Sequence, residues 1–143
     1  MDIEELKKTW ETDSYIGEDL GAAAIQGSSL HSKYLNILIN AKLRLTKVEH
    51  EIAELKATKS KYFRGEMTKE ELTEKGWKQW QYKTLKSDIG ELIDADADFQ
   101  KYAARQSYIK NIIYFLESVL GAIKNRNFEI RAAIDWQKWR AGG

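Results

Sequence analysis

Residues 29–64 read SLHSKYLNILINAKLRLTKVEHEIAELKATKSKYFR, and their spacing decides the fold. Tyr34, Leu38, Ala41, Leu45, Val48, Ile52 and Leu55 recur at intervals of 4, 3, 4, 3, 4 and 3. That is the seam of a heptad helix, on which every apolar side chain returns to one face. Ser28 or Ser29 supplies a start cap, and Gly65 stands where a left-handed residue would end the helix. The spacing predicts a helix of about 35 residues and about 50 Å.

A second repeat follows. Phe99, Tyr102, Gln106, Ile109, Ile113, Leu116, Leu120 and Ile123 alternate by 3 and 4, which predicts a second long helix over 91–125. Glu91, Asp94, Asp96 and Asp98 lie in its first turns, where negative charge suits the helix dipole. Asn125-Arg126-Asn127 reads as a break, because Asn tolerates the left-handed conformation. Ile130, Ile134 and Trp139 then give a last amphipathic helix over 128–140. At the other end, Asp2 caps a short helix over 2–12 with Ile3, Leu6 and Trp10 on one face. Gly17, Gly21, Gly27, Ser28 and Ser29 punctuate 13–29, which reads as a loop with one turn at Ala22–Ile25. Between the long helices, Thr68 and Glu71 have capping-box spacing, Gly76 closes a short helix, and Trp77–Lys83 is irregular.

The expected fold is therefore all-α: two long heptad-patterned helices in an antiparallel hairpin, with short N-terminal and C-terminal helices. The whole of 1–143 is read as one domain. Its segments are an acidic 1–27, a long basic helix 28–64, a connector 65–90, a second long helix 91–125 and an oligomerisation helix 128–140. Ile112, Tyr114, Phe115 and Val119 fall outside the second repeat and widen its apolar arc, so that helix needs a cover, and self-association is the simplest one. Phe128, Ile130, Ile134, Trp136 and Trp139 are the candidate oligomerisation residues.

The formal net charge is only +1, yet the charges are sorted along the chain. Residues 1–27 carry net −5, residues 28–64 net +5, residues 91–100 net −4 and residues 101–143 net +5. Such a chain presents a cationic surface to a polyanion while staying near neutral. The first basic block ends in Lys56, Lys59, Lys61, Tyr62, Phe63 and Arg64. Interleaved bases and rings match single-stranded nucleic acid, which offers phosphates to the cations and ring faces to the aromatics. Lys and Arg near a helix end also cap its last carbonyls, so a structural reading stands beside the functional one. Lys42, Arg44 and Lys47 face away from the seam and are weaker binding candidates. Trp77, Trp80, Trp136 and Trp139 read more readily as seals of a core or an interface than as binding groups.

Other chemistries find little support. The chain has no Cys and no Pro, so disulfides and thiolate metal sites are excluded and long helices run unbroken. His31 and His50 lie nearly 30 Å apart at helical rise and share no site. Ser28, Ser29 and Ser32 lack a nucleophile elbow, and no phosphate loop or dinucleotide fingerprint occurs. Asp94, Asp96 and Asp98 alternate, so on a helix they diverge rather than converge on a metal. No apolar run reaches the roughly 20 residues of a membrane span, and the acidic start is unlike a signal peptide. The expectation is a cytoplasmic non-enzyme without cofactor, metal or membrane contact.

Taken in order, Leu30–Leu35 (LHSKYL), Lys59–Gly65 (KSKYFRG), Thr84–Ile89 (TLKSDI), Asp94-Ala95-Asp96 and Ile123–Arg131 (IKNRNFEIR), followed by Ala133–Trp136, resemble the UvsY family of T-even-type phages. So does the start, with Ile3, Glu4, Glu5, Leu6, Trp10 and Asp13. The resemblance is collinear over nearly the whole chain. It implies a helical recombination mediator that binds single-stranded DNA, helps displace the phage single-strand binding protein and loads a RecA-like recombinase of the UvsX type. It also implies a homo-oligomeric ring of six or seven subunits built through C-terminal elements, working in an infected host cell. The DNA-binding helix end of the family maps onto Lys56, Lys59, Lys61, Tyr62, Phe63, Arg64 and Gly65. Here Phe63 replaces a tyrosine common in the family, and Thr58 stands near a position often basic. The competing expectation is a coiled-coil adaptor that touches only proteins.

Overall fold

The computed structural model describes residues 2–142, and every regular element among them is helical. In chain order these are α1 (Ile3–Asp13), α2 (Leu20–Phe63), α3 (Lys69–Lys75), a single 3₁₀ turn (Lys86–Asp88), α4 (Ile89–Asp94) and α5 (Ala97–Arg140). Both α2 and α5 run for 44 residues without interruption, as a chain lacking proline allows. They contribute to two compact units, residues 2–43 with 110–142, and residues 44–109.

In the first unit, Asp2 caps α1 by accepting from the Glu5 N–H at 2.8 Å, and Leu6 is wholly buried. Burying a leucine stabilises by about 1.5–3 kcal/mol. The Trp10 ring stands edge-on to the Tyr34 ring of α2, centroids 5.4 Å apart. At the end of α1 the Asp13 carboxylate accepts from Lys33 Nζ at 2.7 Å and from the Tyr34 hydroxyl at 2.8 Å, while Arg126 of α5 donates to the Asp13 carbonyl at 3.1 Å. Helix α1 is thus tied to both long helices. Ile112 and Val119, which widen the apolar arc of α5, are buried in this unit together with Leu116, Ile123 and Ile130. Much of the cover that the sequence assigns to self-association is therefore supplied from within the chain. Tyr114 alone of the four stays largely exposed, with Phe115 half-buried.

Burial pushes the Asp13 carboxyl up, but the hydrogen bonds from Lys33 and Tyr34, with the charges of Lys33 and Arg126, more than offset it and hold it below the usual carboxylate range. Burial and the same carboxylate push the Tyr34 hydroxyl up. A carboxylate with a depressed folded pKa stabilises above its unfolded value, near 3.9, and loses that contribution as pH falls through the folded value. Asp13→Ala leaves the buried Tyr34 hydroxyl without its acceptor and is expected to cost about 1–3 kcal/mol at pH 7. Urea titrations should show that difference shrinking below about pH 4.

Three boundaries differ from the sequence expectation. Helix α2 begins at Leu20, not after a loop to 29. Asp19, not Ser28 or Ser29, caps it: its carboxylate accepts from the Ala22 N–H and its carbonyl from the Ala23 N–H. Gly27, read as punctuation, is instead a close-approach position, since a Cβ there would meet the Asn127 side-chain oxygen of α5 at 3.3 Å. Helix α5 begins at Ala97 rather than 91, because Ala95 and Asp96 separate it from α4, and the Asp96 carboxylate caps it by accepting from the Phe99 N–H. Finally, α5 runs straight through Asn125-Arg126-Asn127 to Arg140. Arg126 is buried and bonded to α1, and Asn127 sits against Gly27, so tertiary contacts override the local preference of Asn.

In the second unit α2 ends as its sequence predicts. Gly65 takes φ +73°, its N–H bonds to the Tyr62 carbonyl, and the Glu66 N–H bonds to the Lys61 carbonyl, which is a Schellman closure. The Thr68–Glu71 capping box forms at the start of α3, and Gly76 ends it. Phe63, Ile89 and Ile93 make the core of this corner, with Tyr62, Trp80, Leu92 and Phe99 packed around it. The ion pairs Lys59–Asp98 at 3.1 Å and Arg105–Glu51 at 3.9 Å link α2 to α5.

Candidate nucleic-acid interface

The basic end of α2 divides into two kinds of residue. Lys59 and Phe63 point inward, with only 4% and 6% of their surfaces exposed. Lys59 Nζ lies 3.0 Å from an Asp96 oxygen and 3.1 Å from an Asp98 oxygen, and 4.0 Å from the centroid of the Trp77 ring. It is a cation closed in by two carboxylates and an aromatic face, an arrangement in which cation–π attraction is strengthened by desolvation. Phe63 packs edge-on to Trp80, centroids 4.9 Å apart. These two candidates for contact with a strand are enclosed by the fold.

The others reach the surface. Lys56 is exposed, its Nζ 5.4 Å from the Phe99 ring centroid. Lys61 bonds both oxygens of Glu71, at 3.0 and 2.9 Å, and Arg64 Nε lies 3.3 Å from Glu66. The hydrogen bond from Lys61 is the main cause holding the Glu71 carboxyl below its usual range. The Arg64–Glu66 pair is exposed and the Lys61–Glu71 pair half-buried; exposed pairs contribute about 0–1 kcal/mol, so a phosphate oxygen can displace Glu66 most readily. By helical spacing Arg64, just past the end of α2, lies about 80° from Lys56 and about 60° from Lys61, so the three cations spread over an arc of about 140°. Tyr62 is half-buried: its hydroxyl donates to the Lys78 carbonyl, and its ring sits among Phe63, Trp77 and Trp80. Trp80 also donates from Nε1 to the Thr84 hydroxyl at 2.9 Å. Both connector tryptophans are therefore partly committed to packing.

A sequence profile described as "Recombination, repair and ssDNA binding protein UvsY" matches residues 9–143. The chain belongs to the UvsY family. Its fold is similar to that of the bacteriophage T4 recombination mediator protein UvsY in two crystal lattices. In one the identity is 25% over 99% of this chain and 98% of that chain, with a TM-score of 0.84. In the other it is 21% over 97% and 99%, with a TM-score of 0.87. No curated protein matches the chain.

On this UvsY-family chain the weaker candidates Arg44 and Lys47 are exposed on α2, and Lys42 lies 3.9 Å from Glu117 of α5. The candidate oligomerisation set also divides. Ile130 is 2% exposed and belongs to the core, and Ile134 is half-buried. Phe128, Trp136 and Trp139 are exposed by 71%, 56% and 71%, and the two indoles stack with centroids 5.0 Å apart. Sequence reading missed Asp96 and Asp98 as the counter-charges of Lys59. The acidic run 91–98, which has no base of its own, is the signal, and spacing alone attributes it to the helix dipole. It also missed Tyr102 and Arg105, whose i+3 spacing on α5 brings the guanidinium 5.4 Å from the ring centroid. Among the described residues no group of three or more His, Cys, Asp or Glu is placed to hold a metal, and no helix is long and apolar enough to cross a membrane.

Proposed function

We propose that this chain binds single-stranded DNA as a recombination mediator, loading a RecA-like recombinase of the UvsX type onto strands covered by single-strand binding protein, in phage recombination, repair and replication within the host cytoplasm. The observation that carries the reading is the UvsY-family match, which spans nearly all of the chain. The surface supports it: Lys56, Lys61 and Arg64 form a cationic cluster at the end of α2, Lys56 and Arg64 exposed and Lys61 half-buried, with Lys42, Arg44 and Lys47 as further phosphate contacts. In this account Lys59, Tyr62 and Phe63 hold the corner from which that cluster projects. Within each of the two units the long helices pair antiparallel along heptad seams. The support is that partner numbers fall along α5 as they rise along α2, from Glu51–Arg105 to Lys59–Asp98 in one unit and from Gly27–Asn127 to Lys42–Glu117 in the other.

Each subunit offers a modest grip. A ring of six or seven subunits, joined through Phe128, Trp136 and Trp139, repeats it, and the grips sum through effective concentration. One strand touching several subunits becomes bent and locally ordered, which favours recombinase nucleation.

Replacing Lys56, Lys61 and Arg64 together by Ala should weaken oligo-dT binding and flatten its salt dependence by about 2 in log K against log salt per subunit engaged, at about 0.7 per phosphate contact. Fluorescence anisotropy of labelled oligo-dT measures both. An unchanged slope in a folded variant would remove this cluster from the DNA path.

A further inference from the structure

On another side of α2, within residues 44–109, Leu55 and Tyr102 form a common wall between two open clefts. The larger, of about 420 Å³, runs past Lys101 and Arg105 of α5. The smaller, of about 180 Å³, runs past Lys75 and Trp77. None of Lys56, Lys61 and Arg64 lines either cleft. Lys47, Glu51 and Leu55 follow at i+4 steps, so the cleft wall continues along α2 toward a cation.

The chemistry of this trough is specific. Tyr102 is half-buried with the Arg105 guanidinium 5.4 Å from its ring centroid. The Arg105 side chain is 60% exposed, and its 3.9 Å separation from Glu51 is a loose contact. Trp77 is half-buried, with Lys59 Nζ seated over its ring. The carboxylate of Asp98 in the same trough shares the Lys59 ammonium with Asp96, and Glu51 and Glu54 line the smaller cleft, so the trough repels a phosphate. Two aromatic rings, an aliphatic floor and a planar cation on a mobile stem suit a flat, neutral, hydrogen-bonding ring better than a phosphate. Lys75 and Lys101 stand beside them for the sugar-phosphate chain. Every nucleobase has a π-face, so such a trough accepts bases without reading sequence.

We infer that the Leu55–Tyr102 trough is a nucleobase-binding site, in which an unstacked base of single-stranded DNA lies against Tyr102 and is covered by the Arg105 guanidinium. The inference rests on the reading of this chain as a single-stranded DNA binder and adds where the bases go. Two surfaces then divide the work, the α2 cluster taking phosphates and the trough taking bases.

The full chain is titrated with labelled oligo-dT and with an abasic oligomer of the same length, as wild type, Tyr102→Phe and Tyr102→Leu. Leucine keeps apolar volume but has no ring, and phenylalanine keeps the ring without the hydroxyl. Stacking on one ring predicts that Tyr102→Leu loses about tenfold in affinity for oligo-dT, while Tyr102→Phe binds like wild type. The abasic oligomer should bind all three alike, and the salt slope should not move. Equal oligo-dT affinity in Tyr102→Leu and wild type overturns the trough while leaving the DNA-binding reading intact. A matching loss on the abasic oligomer also overturns it, because the effect is then not one of bases. No binding of either oligomer by the wild type overturns the parent reading and the trough together.

Discussion

Lys59→Ala is expected to destabilise the chain by about 3 kcal/mol, because removing one partner of a buried ion pair strands the other charge. The Lys59 side chain is 6% exposed and Asp96 only 15%, so water cannot replace the lost ammonium at Asp96. Asp98, half-exposed, recovers part of its solvation, which keeps the cost at the lower end of the range. Asp96 also caps α5, so its unpaired charge loosens the start of that helix. Lys59→Met keeps the stem packed against Trp77 and should cost less than Lys59→Ala. Urea unfolding at pH 7 reads the difference. A loss below about 0.5 kcal/mol in Lys59→Ala would place Lys59 at the surface, where substitutions have effects of that size. The same logic governs binding. In its folded form Lys59→Met should retain the salt slope of the wild type, because an enclosed cation releases no counterion on meeting a strand.

Replacing Phe128, Trp136 and Trp139 together by Ala should convert the proposed assembly to smaller species. Tyr114, Phe128, Trp136 and Trp139 share one face of α5 by their spacing, and each is more than half exposed. Large exposed rings gathered on one face suit the proposed association surface, and aromatic residues dominate interface energetics. Removing three of them per subunit takes several kcal/mol from each contact, since interface aromatics cost about 2 kcal/mol or more apiece on truncation. Monomer stability should change little, since these rings lie outside the core. Deleting 128–143 is a poorer test, because it also removes Ile130 from the core of its unit. Sedimentation velocity of the triple variant at micromolar concentration should show a smaller species than wild type. An unchanged sedimentation coefficient would mean that another surface holds the subunits together.

Local signals were legible in the sequence. Asp2, Gly65 and the Thr68–Glu71 box each act within a few residues of chain, so their types and spacing suffice to predict the cap, the stop and the box. The all-α class follows equally from periodicity and the absence of proline. What escaped reading is non-local. Gly27 reads as a loop residue until Asn127 is found against it, one hundred positions further along the chain. Asn125-Arg126-Asn127 reads as a break until Arg126 is found holding the end of α1. The candidate site is legible only in part for the same reason. Lys59 and Lys61 look equivalent in the string KSKYFR, and only the fold brings Asp96 and Asp98 to one and leaves the other beside an exposed Glu71. A basic–aromatic string reports its composition, whereas the helical phase and the distant acids decide which cations remain available to a phosphate.

The central claim is that this chain grips an unpaired polynucleotide through its backbone. Anisotropy of a labelled oligo-dT titrated with the wild-type chain, repeated across a salt series, tests it directly. The account predicts tight binding in dilute buffer and a straight fall of log K with log salt, at about −0.7 per phosphate contacted. Absence of binding in dilute buffer, or an affinity indifferent to salt, would contradict it and leave a helical adaptor that meets only proteins.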